Sequence, residues 1–381
     1  MSGWIDWNPA LEVALIGTLL ALLPMAWVLV KGRREGLRGW PAWQLALTVM
    51  TLFLTLDLVV FGAFTRLTDS GLGCPDWPGC YGHTSPVGAR DLIAQQQAYL
   101  PTGPVTHGKA WVEMVHRYLA SAVGVLITVL MVAAWLGRGQ SRRLSPWWPT
   151  LTLVWVVLQG AFGAFTVTLK LYPLVVTGHL LGGLLGVGLL TAQARVLSAE
   201  VAGPLDHARQ QVAQAWRASP LRRWAWGLLM LVVVQIALGG WVSTNYAVLA
   251  CSEVPMCQGQ WWPVMDFELG FRLLRPLGGD GFGAQITLAG LTAIHVVHRL
   301  GAVIVLVAMC GMAWALWQAA WWRREACGLW ALAAWQLLTG LSNVVLGWPL
   351  VAALGHTLGA ALLVWWMVSL LMQPRPTLSD F

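Results

Sequence analysis

Glu113-Met114-Val115-His116-Arg117 and His295-Val296-Val297-His298-Arg299 are the two stretches from which the organisation of this 381-residue chain is read. Both lie inside apolar runs, and they match at an offset of 182. Around them the correspondence continues at an offset of 177, pairing Cys74 with Cys251, Cys80 with Cys257, Gly62 with Gly239, Pro78 with Pro255, Gln159 with Gln336, Gly163 with Gly340 and His179 with His356. The second copy therefore has extra residues before the motif and as many fewer after it. Chance does not produce such a register, so the chain reads as a tandem repeat. The units are expected at 43–197 and 222–373, joined by a linker at 198–221, preceded by a segment at 1–42 and followed by a tail at 374–381.

Composition says what solvent these units meet. The chain is 57% hydrophobic and only 10% charged, which gives too little polar surface for water and makes lipid the natural surroundings. A hydrocarbon core of about 30 Å takes about 20 helical residues to cross. Nine stretches are long enough: 11–30, 43–65, 110–136, 147–169, 174–196, 223–245, 285–317, 328–348 and 350–372. Glycines such as Gly182, Gly183 and Gly186 allow close helix packing, and the absence of dyad alternation excludes a β-barrel. The expected fold is an all-α integral membrane protein, a tandem pair of four-helix transmembrane bundles with one extra N-terminal transmembrane helix. An even number of helices per unit gives both copies the same orientation and puts matched residues at the same depth.

The first span follows acidic residues (Asp6, Glu12) and precedes Lys31, Arg33 and Arg34, the pattern of an anchor rather than of a cleaved leader. Lysines and arginines separate by side. Lys31, Arg33, Arg34, Arg38, Arg138, Arg142, Arg143, Arg195, Arg209, Arg217, Arg222, Arg223, Arg323, Arg324 and Arg375 fall on one side of the membrane. Arg66, Arg90, Lys109, Lys170, Arg272 and Arg275 fall on the other. The bias predicts a cytoplasmic C-terminus, an N-terminus outside, and long outer loops at 67–109 and 246–284. It also accounts for most of the net charge of +7 without invoking nucleic acid. Cys74 and Cys80 in the first outer loop, and Cys251 and Cys257 in the second, are then expected as two disulfides. A structural staple and a redox role both remain open for them. Cys310 falls in mid-membrane and Cys327 on the cytoplasmic side.

Histidine is expensive in a membrane helix unless it is hydrogen-bonded, paired or bound to metal. His116, His179, His298 and His356 are intramembrane and form two matched pairs. From Lys109 and Pro173, the rise of a helix puts His116 and His179 both about 10 Å below the outer surface. Two imidazoles at equal depth suit the two faces of one porphyrin. Simple buried histidines and a non-haem metal site are the competing readings, and the latter usually asks for more ligands per ion. His83, His107 and His207 fall outside the spans and read as solvated. Arg117 and Arg299 follow the motif histidines, and they, with Arg66, are candidates for haem propionates. Snorkelling to the interface is the alternative. Glu113, replaced by His295 in the second copy, stands one turn from its histidine. A carboxylate there can relay protons or stabilise a cation, or it can be an interfacial partner of Lys109 or Arg117.

Gly62-Ala63-Phe64-Thr65-Arg66-Leu67-Thr68-Asp69-Ser70-Gly71-Leu72, Trp77 with the cysteine pair, Glu113-Met114-Val115-His116-Arg117, and the Gly178-His179 and Gly355-His356 helix starts together resemble the haem A synthase family over about 43–373. The resemblance implies a bacterial inner-membrane oxidoreductase that oxidises a methyl group of haem O to a formyl group, making haem A for terminal oxidases. It assigns haem O to His116 and His179 with Glu113 needed for activity, haem b to His298 and His356, and Cys74–Cys80 as the outer-loop pair. Both haem sites would lie near the outer face. The implied partners are haem O, the bilayer, haem O synthase and terminal-oxidase assembly factors. The extra helix at 11–30 departs from the family's eight-helix pattern. Two other readings stand beside this one: a di-haem b-type electron-transfer protein without haem-modifying activity, and a transporter suggested by the repeat alone. The contrast of Glu113 with His295 favours the enzyme.

Overall fold

The structure, a computed structural model, describes residues 8–203, 207–274 and 286–373. In chain order the helices are α1 (Asn8–Arg34), α2 (Trp40–Leu67), α3 (Arg90–Tyr99), α4 (His107–Leu136), α5 (Trp147–Thr168), α6 (Pro173–Val201), α7 (His207–Ala218), α8 (Pro220–Thr244), α9 (Phe267–Gly270), α10 (Leu288–Gln318), α11 (Arg323–Val345) and α12 (Leu350–Leu371). Among the described residues nine of these, all but α3, α7 and α9, are long and apolar enough to cross a membrane. The chain is an all-α, multi-pass membrane protein. Its helices are inside-out by the standards of water: α1 buries Val13, Gly17, Ala21 and Val28 while Leu11, Leu15, Leu19 and Leu23 face outward. An apolar exterior of this kind needs lipid to cover it.

The helix starts are set by short polar caps. The Lys109 N–H donates to the Thr106 hydroxyl at 3.2 Å to open α4, the Leu221 N–H to Ser219 at 3.1 Å for α8, and the Gly290 N–H to Thr287 at 3.2 Å for α10. Each satisfies a backbone donor that the first helical turn leaves open.

Two compact units form, Met1–Leu171 with Val196–Val201 and Tyr172–Arg195 with Ala202–Phe381. In the first, α4 is the hub, packed against α1, α2 and α5. The extra helix α1 is seated closely: a Cβ added to Gly17 would lie 2.5 Å from the Cβ of Ser121 on α4. The Trp40 indole N–H donates to the Ala133 carbonyl at 2.9 Å and fixes the other end of α4 to α2. In the second unit α8, α10, α11 and α12 pack in a closed ring, each against two neighbours. Consequently α10 faces α12 across one diagonal and α8 faces α11 across the other. Met309, Leu316, Leu329 and Met367 fill one end of the ring.

Two segments differ from the sequence expectation by being helical. The outer loop expected at 67–109 contains α3, anchored by the fully buried Ile93. The linker expected at 198–221 contains α7, whose Trp216 is buried against Trp322 with ring centroids 4.9 Å apart. Both are short amphipathic pieces whose single large anchor carries too little periodic signal to register as a span. The expected tail at 374–381, and Asp6, Arg275 and Arg375 used for orientation, lie outside the described residues, as do the side chains of His207 and Arg209.

The α1–α4 seam gives the first prediction. Gly17→Leu forces a side chain into Ser121 and should destabilise the first unit by roughly 1–3 kcal/mol, whereas Leu15→Ala on the exposed face should be near neutral. Thermal unfolding in detergent compares the two variants.

Candidate functional site

Each loop cysteine pair is a disulfide, Cys74–Cys80 and Cys251–Cys257, and the two loops repeat in detail. Cys80 and His83 exchange backbone hydrogen bonds, as do Cys257 and Gln260. The Asp76 carboxylate accepts from the Tyr81 and Gly82 N–H groups at 2.6 and 2.7 Å, and the matching Glu253 accepts from Gly259. The remaining cysteines, Cys310 and Cys327, are free thiols.

What holds each loop on its bundle is the arginine of the motif. Arg117 Nη1 donates to the carbonyls of Asp76 at 2.9 Å, Pro78 at 3.1 Å and Gly79. Arg299 donates to the carbonyl of Met256, the repeat partner of Gly79, at 3.1 Å and to that of Cys251 at 3.1 Å. The sequence offered propionates or the interface as the destination of these arginines. The structure turns both guanidinium groups onto loop carbonyls. Arg66, the third propionate candidate, pairs with Asp69 at 3.1 Å.

Glu113 belongs to the same cluster. It is 4% exposed, its Oε1 pairs with Arg117 Nη2, and its Oε2 accepts from the Cys74 N–H at 2.8 Å. Of the two ion-pair partners the sequence offered, Arg117 is the one found. The matching His295 is 3% exposed, and its Nδ1 has no hydrogen-bond partner among the described residues.

The second unit brings its candidate histidines into one ring of helices. His298 on α10 and His356 on α12 stand on the diagonal. Each ring lies against a glycine: a Cβ on Gly239 would sit 3.1 Å from His298 Cε1, and one on Gly340 would sit 3.3 Å from His356 Cε1. Gln235 on α8 contacts His298 Nδ1 at 3.0 Å, and Thr339 on α11 contacts His356 Nδ1 at 3.0 Å. The Gln235 Oε1 is buried without a hydrogen-bond partner among the described residues. Two imidazoles from facing helices, glycine-cleared walls and a hydrogen-bonding side chain at the Nδ1 of each ring, which leaves Nε2 open, fit a bis-imidazole haem.

In the first unit His116 on α4 repeats the glycine relation, with a Cβ on Gly62 falling 3.0 Å from His116 Nε2. Phe61 stacks on the same ring at 6.3 Å between centroids and 10° between planes. His179 lies on α6, in the part belonging to the second unit. His83 sits in the first disulfide loop and His107 begins α4.

Sequence reasoning passed over Gln235 and Thr339, and over Asp76 as a loop organiser. The available signal for Gln235 was a lone amide in an apolar span, which lipid makes costly unless partnered.

Fold and site define a multi-pass membrane protein whose motif histidines stand under two disulfide-capped loops. Residues 45–368 match the COX15-CtaA family, described as cytochrome oxidase assembly protein. The chain is similar to the haem A synthase of Shewanella oneidensis, at 36% identity over 331 residues covering 84% of this chain and 93% of that protein. It is also similar to the haem A synthases of Allorhizobium ampelinum, at 30% over 88% of this chain and 90% of that protein, and of a Chelativorans species, at 28% over 84% and 86%. The chain belongs to the haem A synthase family.

Mass mapping of non-reduced protein should find Cys74–Cys80 and Cys251–Cys257 linked and only Cys310 and Cys327 open to alkylation. Each disulfide closes a loop small enough to contribute about 2–3 kcal/mol by the chain-entropy model. Arg117→Met leaves Glu113 buried without its cation and should cost roughly 3–5 kcal/mol, read as a lower unfolding temperature in detergent. Arg66→Met at the exposed Asp69 pair should cost about 1 kcal/mol or less.

Proposed function

We propose that this chain is a membrane oxidoreductase that converts haem O to haem A by oxidising one methyl substituent to a formyl group. Membership of the haem A synthase family, over nearly all of the two repeats, is the observation that carries this reading. Haem O is the substrate. Haem b, bound in the second repeat, would supply electron transfer.

The residues divide the work as the repeat divides the chain. His298 and His356 are assigned to haem b, supported by their diagonal placement and the glycines facing them. His116 and His179 are assigned to haem O by their correspondence with that pair. Gly62 keeps the space beside His116 clear of side chain. Glu113, one turn from His116, is assigned to the chemistry of the first site, with its charge held in place by Arg117 and the Cys74 N–H. Arg117 and Arg299 hold the loops over the sites, and they remain propionate candidates together with Arg66 at the outer end of α2. The units assigned to the two haems are 43–197 and 222–373. The bias of lysines and arginines supports an N-terminus outside, a C-terminus in the cytoplasm and haem sites toward the outer face of a bacterial inner membrane. Haem O synthase would be the source of the substrate, and terminal-oxidase assembly factors the destination of the product.

Co-expression with a source of haem O, followed by chromatography of extracted haems, tests the activity. Hydroxymethyl and formyl haem are expected. Their absence from protein that has bound haem would leave a di-haem electron-transfer protein as the better reading.

Glu113→Gln separates chemistry from scaffolding. The amide can still accept the Cys74 N–H, so haem should be retained while conversion falls by about 10²-fold or more, as for a lost acid–base group. Full conversion of haem O by this variant would remove Glu113 from the chemistry and leave it as the counter-ion of Arg117.

A further inference from the structure

We propose that Gln235 and Thr339 are the positioning residues of the second-repeat haem site, each holding the Nδ1 of one axial histidine so that Nε2 is left for iron. The proposal rests on the assignment of haem b to His298 and His356.

Iron on Nε2 of a neutral imidazole requires the proton on Nδ1, and that proton requires an acceptor when the ring is buried. Thr339 supplies one. Its hydroxyl donates to the Trp335 carbonyl at 2.7 Å, so toward His356 Nδ1, at 3.0 Å, its oxygen has only lone pairs to offer. With that donation in place the hydroxyl oxygen accepts from Nδ1, which puts the proton of a neutral His356 there. Gln336, one helical turn away on the same helix, donates its amide to the His356 carbonyl at 3.1 Å and holds the backbone from which the ring projects.

Gln235 serves His298 in the same way from the opposite helix. Its amide nitrogen lies 3.0 Å from both His298 Nδ1 and the His298 carbonyl. Its Oε1 is buried with no partner among the described residues, packed where a Cβ on Gly301 would come within 2.3 Å. With haem bound, a half-turn of the amide, which exchanges oxygen for nitrogen with no change of shape, presents that oxygen to the protonated Nδ1; the amide then gives up its bond to the His298 carbonyl and turns its oxygen clear of that second acceptor. All four helices of the ring then contribute: α10 and α12 the ligands, α8 and α11 the acceptors that orient them.

At the offset that relates the repeats, the residues matching Gln235 and Thr339 are Leu58 and Phe162. Neither side chain carries a hydrogen-bonding group. Gln235 and Thr339 thus mark the second repeat, the one assigned haem b.

The test uses the purified full-length protein in five variant forms: Gln235→Leu, Thr339→Val, Thr339→Ser, His298→Ala and His356→Ala. Each acceptor variant should bind haem b roughly 10–100-fold more weakly in titrations of haem-depleted protein, the usual effect of losing an outer partner of a metal-bound histidine. The midpoint potential should rise, because an imidazole without an acceptor is a weaker donor to ferric iron, and the electron-paramagnetic-resonance g values of the low-spin signal should shift as the rings lose their fixed planes. Thr339→Ser should restore all three. Unchanged affinity, potential and g values in both acceptor variants, with the low-spin signal lost in both alanine variants, would overturn the proposal and leave the haem site standing. Survival of the low-spin signal in His298→Ala and His356→Ala would overturn the haem assignment and the proposal with it. The two acceptors sit on different helices, so a folding defect in one variant leaves the other to decide.

Discussion

An arginine held under a disulfide-closed loop is the contact on which each outer half-structure depends. A guanidinium on a membrane helix must satisfy its donors or reach water, and Arg117 does so with three carbonyls of the Cys74–Cys80 loop and the carboxylate of Glu113. The loop in turn can present those carbonyls inward only because the disulfide and the Asp76 turn hold it in one shape. Glu113 completes the circuit by accepting the Cys74 N–H. Helix, loop and carboxylate therefore form one hydrogen-bonded object, and His116, next to Arg117 on the same helix, inherits its position from it.

Below that object the constraint is space. Imidazoles that face a porphyrin must approach the opposite helix closely, and glycine is the residue that permits it. Gly62 beside His116 and Gly239 beside His298 are repeat partners, and in both a Cβ would fall about 3 Å from a ring atom. An alanine at either position would push the ring aside before it disturbed the helix. The extra helix α1 uses the same device at Gly17 to lie against α4, the helix that carries Glu113 and His116. Close approach rather than hydrophobicity distinguishes these interfaces, as expected where lipid competes equally for every apolar side chain.

The spans and the cysteine pairs were legible because each leaves a periodic or duplicated mark: nine runs of apolar residues, and cysteines recurring at one offset. The loop contacts of Arg117 and Arg299 were not. A long flexible side chain can reach a propionate, the interface or a nearby loop with equal ease, and only the folded loop shows which carbonyls are within reach. Helices α3 and α7 were missed because one buried residue, Ile93 or Trp216, fixes each of them. Gln235 and Thr339 escaped for a different reason. Comparing two copies retrieves positions where they agree, and these are positions where they differ.

That difference carries its own meaning. Residues shared by the copies, the cysteines, the glycines facing the rings, the motif arginines and the histidines, build a scaffold that any haem could use. Residues that differ tell the two haems apart. Glu113 becomes His295, so the first motif brings a carboxylate to its arginine and the second does not. Leu58 and Phe162 become Gln235 and Thr339, and in the second copy these side chains meet Nδ1 of His298 and of His356. A haem that stays for the life of the protein gains from ligands locked in one tautomer and one plane, since every reorientation of an axial ring disturbs electron transfer. A haem that is substrate has to enter, react and leave, and rings locked equally hard would oppose each step. On the proposed assignment, the replacement of a few side chains on a backbone the copies share turns one site toward holding its haem and the other toward reacting with it.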